Sequence, residues 1–141
     1  TKEGLEEWFA PEGMRVEMTA LQLRVGGAFD YVMTAVGAEQ VAYLANLDMR
    51  QTARVSGRLV EIVRHRRLRI RFDMDFVPGV ETYPYDMLVE MSVEAGRVRM
   101  GLTADRHPDP EMTSGAILGL TSQLQKFDLA ISARATKEQR P

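Results

Sequence analysis

Few residues of this 141-residue chain have the type and spacing to do chemistry. Glu61, in TARVSGRLVEIV, and Gln22, in LQLRVGGAFDYVM, are the polar residues that a period-two alternation points inward among apolar neighbours. A carboxylate in such surroundings needs a partner or acquires a raised pKa, which is how general bases are made. Glu61 is therefore a candidate for orienting a ligand or abstracting a proton, with structural hydrogen bonding as the competing account. Tyr31, Tyr43 and Tyr85 could place hydroxyls around a cavity, though aromatic packing explains each as well. Asp105, His107, Asp109 and Glu111 in DRHPDPE are metal-ligand types, but their spacing fits no defined metal motif. Asp109 serves instead as a helix cap, so a solvated loop is expected there and no metal. His65 lies in the RHRR turn with no visible partner.

Several chemistries have no residues to support them. There is no cysteine, so disulfides, thiolate nucleophiles and cysteine–metal sites are excluded. Neither a phosphate-binding glycine loop nor a serine–histidine–carboxylate set is present, and no cofactor is expected. RHRRLRIR (64–71) is basic, but alternation continues it at once into Asp73 and Asp75 on the same face, with no aromatic platform, so no nucleic-acid partner is expected. The net charge of −2 and the short apolar runs likewise predict no membrane partner. The opening KEGLEEWF is acidic and amphipathic, unlike a signal peptide, and the composition suits a cytoplasmic globular domain.

The elements that must position these residues can be read from period and punctuation. KEGLEEWF (2–9) reads as a short helix stopped by Pro11 and Gly13. Met14–Leu23 reads as a strand with Met14, Val16, Met18 and Ala20 on one face. Phe29, Tyr31 and Met33 mark a second, and a brief helix falls within 38–51. Strands follow over 52–63 and 66–76, where Leu68, Ile70, Phe72, Met74 and Phe76 alternate with charges. Two more strands carry Met87, Val89, Met91 and Val93, then Val98, Met100, Leu102 and Ala104. After Asp109 and Pro110 the period changes: Ile117, Leu120, Leu124, Phe127 and Ile131 form one stripe of a long helix. Six strands, each apolar on one face, then have that helix as their partner. Gly26, Gly27 and mid-strand Gly57 could bend such a sheet, and Gly26-Gly27 reads equally as a hairpin turn.

WFAPEG (8–13), LQLRVGGAFDYVM (21–33), the G-x-L-x-E strand at 57–61, RRLRIRF (66–72) and the terminal helix occur together in this order. In that combination the chain resembles the START-related, birch-pollen-allergen-like (SRPBCC) superfamily. Within it, the chain is similar to the bacterial homologues of the activator of the heat-shock protein ninety ATPase. The resemblance implies an α+β helix-grip fold: a curved antiparallel sheet around a long C-terminal helix, with a cavity between them. It covers nearly all of residues 1–141 as one such domain. The family's first strand and the start of its first helix have no counterpart before Thr1. Family members tend to carry aspartate where this chain has Gln22.

The function expected on this basis is the holding of a hydrophobic small molecule. The expected lining is Trp8, Met18, Gln22, Phe29, Tyr31 and Met33 from the first part of the chain. Leu59, Glu61, Phe72, Met74, Met87, Met91 and Met100 would line it from the sheet, and Leu120 and Leu124 from the helix. Methionines adapt to varied partners, as they also fill irregular cores. Two alternatives stand beside this reading. One is a cyclase- or dehydratase-type enzyme, known elsewhere in the superfamily, with Glu61 as base and a tyrosine as acid. The other is a chaperone-associated interaction module. A homodimer is compatible with a small protein of this kind.

Overall fold

A computed structural model of the protein describes residues 1–138. Helix α1 (Lys2–Glu6) leads into β1 (Met14–Leu21) and β2 (Phe29–Ala35), and α2 (Ala38–Asn46) follows. Then come β3 (Thr52–Val63), β4 (Arg67–Met74), β5 (Tyr83–Glu94), β6 (Arg97–Ala104) and the long α3 (Pro110–Glu138). The six strands form one antiparallel meander in sequence order, curled into a half-barrel around α3. Among the described residues, no helix is long and apolar enough to cross a membrane.

Two bulges and one glycine curl the sheet. An extra residue in one strand increases its twist and shifts the alternation by one. The β1–β2 register shifts between Met18 and Ala20, and the β3–β4 register shifts between Leu59 and Glu61. Gly57 sits where the β2–β3 ladder breaks: its N–H donates to Asp30 Oδ1 at 3.1 Å, and a Cβ there would lie 2.6 Å from the Phe72 ring. The absent side chain lets Phe72 lie across β3. The double glycine belongs to the β1–β2 turn rather than to a strand interior. Gly26 has φ +78°, and its N–H donates to Leu59 O at 2.7 Å. Gly27 has no room for a side chain between Gln22 O and Arg24 O. The turn therefore folds back onto β3 beside its bulge.

The core is built on the concave face. Phe29, Leu59, Ile70 and Phe72 are fully buried, with Val16, Met18, Tyr31, Val55, Met74, Tyr85 and Met87 around them. Phe9 closes this cluster from the other side, edge-on to both Phe29 (5.4 Å) and Tyr31 (5.5 Å). The convex face carries charge in register. Arg71 is bidentate to Asp86 at 2.7 and 2.8 Å, and Arg67 lies opposite Glu90. Opposite charges facing each other across strands stabilise the pairing.

Helix α3 is rotated from the expected stripe. Leu120, Leu124 and Phe127 are half-buried as predicted, but Ile117 and Ile131 are exposed. The most buried line runs through Ala116, Leu120, Gln123 and Phe127, with Gly119 beside it. The cause is the segment 8–12, wedged between helix and sheet. Gly119 gives the wedge room, since a Cβ there would lie 3.3 Å from Pro11, a tight contact. Hydrogen-bonding side chains are required next to the wedge's backbone. Gln123 Nε2 donates to Phe9 O (2.8 Å), Lys126 Nζ to Ala10 O (3.0 Å), and Ser122 Oγ accepts from the Glu12 N–H (3.0 Å).

Candidate functional site

The middle of the layer between sheet and α3 is filled by rings, whereas the end beneath the first turns of α3 is open. Strand β5 places Tyr83 and Tyr85 two residues apart, so both face inward. The connection from β6 to α3 brings His107 against them. Its ring stacks on Tyr85 at 4.5 Å with an interplanar angle of 13°, and its Nδ1 meets the Tyr83 hydroxyl at 2.7 Å. Thr113 fixes the backbone of this residue by accepting the His107 N–H at 2.9 Å. Asp109 caps α3, its Oδ1 accepting the Glu111 N–H at 2.9 Å.

Burial sets the protonation of this cluster. It pushes the His107 pKa below the ordinary imidazole value and those of Tyr83 and Tyr85 above the ordinary phenol value. The Asp105 carboxylate raises Tyr85 further. All three rings are uncharged at neutral pH.

Beside the cluster lies a hollow of about 200 Å³. Leu47 and Met49 wall it from the end of α2, Val77, Pro78 and Val80 from the β4–β5 loop, and Pro108 and Met112 from the start of α3. Tyr83 and Asp109 supply its polar groups. A second hollow of about 290 Å³ lies between α1 and the C-terminal half of α3. Trp8 and Phe127 wall it, and the exposed ion pair of Glu7 with Arg134 (2.8 Å) crosses its rim.

Most of the residues expected to line a cavity are packed against one another. Met18, Phe29, Tyr31, Leu59, Phe72, Met74 and Met87 belong to the buried cluster, and Trp8, Met33 and Leu120 pack against it. Met100 and Leu124 are half-buried, while Met91 is exposed near the β5–β6 turn with Val93 and Val98. Two expectations are corrected. The bulge after Leu59 turns Glu61 onto the convex face, opposite Arg69, and turns Ile62 inward in its place. There Glu61 pairs with Arg67 (3.3 Å) and Arg69 (3.6 Å), far from the role of an inward-facing base. The bulge before Ala20 likewise sends Leu21 to the core and leaves Gln22 exposed in the turn, where its Oε1 accepts weakly from Ala28 N–H.

Tyr83, Met112 and Thr113 went unrecognised in the sequence, and His107 read as part of a solvated loop. Tyr83 had a signal: it shares the period-two face of Tyr85. Gln123 and Lys126, beside the predicted stripe of α3, also went unrecognised. Among the described residues, no three His, Asp or Glu side chains converge as a metal site.

No family model and no curated protein matches the sequence. Solved structures do match. A protein of Chromobacterium violaceum superposes with a TM-score of 0.72 at 19% identity, covering 90% of this chain and 79% of that one. The AHSA1 protein of Silicibacter pomeroyi gives 0.68 at 20% identity, over 92% and 82%. A Nitrosomonas europaea protein gives 0.68 at 18% identity, over 96% and 82%. Identity this low carries the fold. The fold implied by the motifs is therefore the fold found: this chain is built as a helix-grip α+β structure like the AHSA1 protein of Silicibacter pomeroyi.

Proposed function

We propose that the protein holds a small, largely apolar molecule in the hollow beneath the first turns of α3. The observation that carries this is the contrast within one layer. Aromatic rings fill its middle, while about 200 Å³ remains open where α2, the β4–β5 loop and α3 converge. Apolar walls with few polar groups are the usual make-up of a small-molecule site. Met49 and Met112 give those walls side chains that re-pack around different shapes. An apolar cavity of about 150 Å³ is enough to bind benzene, so ring-sized ligands fit this volume.

The test is a thermal-shift and native mass-spectrometry screen of ring-sized aromatic and short acyl compounds on the protein and on Met112→Trp. A ligand at about 100 times its dissociation constant stabilises the fold by about 2.7 kcal/mol. The expected outcome is stabilisation of the parent protein that Met112→Trp abolishes by filling the hollow. Absence of any shift or bound mass across the screen refutes the reading.

A further inference from the structure

Apolar walls alone do not account for a tyrosine at position 83, because a phenylalanine would supply the same ring. Tyr83 lines the hollow, and its hydroxyl is held 2.7 Å from His107 Nδ1. The imidazole is fixed in turn by the face of Tyr85 and by the Thr113 bond to its backbone. A polar pair locked by its own supports is the arrangement that recognition of one group requires. We infer that Tyr83, held by His107, reads a single hydroxyl or carbonyl at one end of the bound molecule, which is a neutral, phenol-sized compound. This rests on the binding role proposed above and adds the chemical class of the ligand.

Three features define that class. About 200 Å³ takes one ring with a substituent rather than a long chain. Charge is disfavoured: no lysine or arginine lines the hollow, and Asp109, which does, already occupies an N-terminal amide of α3. A carboxylate ligand would face that aspartate without a counter-ion. The pair itself is adaptable. With Nδ1 as acceptor, the Tyr83 oxygen is free to accept from a ligand hydroxyl. With Nδ1 protonated and Nε2 bare, the Tyr83 proton is free to be donated to a carbonyl.

Toluene, p-cresol and 4-methylbenzoate separate these possibilities, titrated by calorimetry against the parent protein, Tyr83→Phe and His107→Gln. A plain apolar hollow ranks toluene above p-cresol, because the hydroxyl loses water on entry. The expected result is the reverse order on the parent protein, with p-cresol about tenfold tighter and 4-methylbenzoate weakest. Tyr83→Phe restores toluene to first place without changing its own affinity, and His107→Gln narrows the preference. Equal or inverted ranking on the parent protein, or a p-cresol preference that survives Tyr83→Phe, overturns the inference while leaving the hollow as a binding site. If toluene and p-cresol both fail to bind the parent protein, the site and the inference fall together. Should Tyr83→Phe not fold, His107→Gln decides: an undiminished p-cresol preference there overturns the inference.

Discussion

The middle of the layer beneath α3 and the end under its first turns use one helix to opposite effect. Around Gln123 the helix rests on a wedge of chain, and its polar side chains are spent on the carbonyls of Phe9 and Ala10. Around Met112 there is no wedge, and the helix meets the β4–β5 loop across an open hollow. On α3 itself, Gln123 and Lys126 thus mark where buried chain is docked, whereas Met112 faces open space. This inverts the habit of looking for a ligand site wherever a polar residue interrupts an apolar face. An interruption can mean that backbone, which must be hydrogen-bonded when buried, is docked there.

Emptying the filled middle tests this contrast most strongly. Phe9 is 3% exposed and makes edge-on contacts with Trp8, Phe29 and Tyr31. Phe9→Ala is expected to cost about 3–5 kcal/mol in urea unfolding, the usual price of truncating a buried phenylalanine. It should also open space for toluene within the ring cluster, erasing the difference between the filled middle and the open end. A loss below about 1 kcal/mol would mean that the wedge collapses to fill its own gap. Gln123→Ala removes the donor to Phe9 O and should cost about 1–2 kcal/mol by the same measurement. The lower part of the general range applies because Gln123 Oε1 has no protein partner among the described residues, so that truncation also relieves a buried acceptor.

The open end is sharpened by pH. Burial holds the His107 pKa below its ordinary value of about 6.5, so the unfolded chain takes up this proton before the folded one does. Its contribution to stability is complete above about pH 6.5 and is lost as pH falls toward the folded pKa. The groups facing the ring are the Tyr83 and Tyr85 side chains, with the Asp105 carboxylate behind Tyr85. Between about pH 6.5 and 5, above most carboxylate titrations, stability should fall with pH, and His107→Gln should flatten that slope. An unchanged slope in the variant would place the ring in water and remove the support for Tyr83.

The order of strands and helices was legible because period and turn residues carry it. Strand β4, with Leu68, Ile70, Phe72 and Met74 inward, is the clearest instance. Faces were legible only as far as the first bulge. One extra residue, unmarked in composition at Thr19 or Val60, reversed the inward set of β1 and β3 beyond it. Both polar site candidates, Gln22 and Glu61, lay just past such a point, so a correct period gave them the wrong face. The Tyr83–His107 pair lay outside local pattern altogether. It joins residues 24 positions apart through the β5–β6 hairpin, and its formation depends on how a proline-flanked connection enters α3.

Glu61→Gln makes the smallest change and is the cleanest check on that reversal. On the convex face its carboxylate is 32% exposed, between Arg67 and Arg69. Exposed ion pairs contribute about 0–1 kcal/mol and weaken with salt. The variant should therefore lose less than about 1 kcal/mol, with the deficit shrinking in high salt, and should bind p-cresol as the parent protein does. A carboxylate facing the interior would behave differently, because its loss would alter the hollow or relieve a buried charge, and salt would barely matter. A salt-independent effect on stability, or any change in p-cresol affinity, would return Glu61 to the concave face and refute the β3 bulge. The expected result would leave the hollow's polarity to Tyr83 and Asp109 and assign Glu61 to the charge ladder that holds β3 to β4.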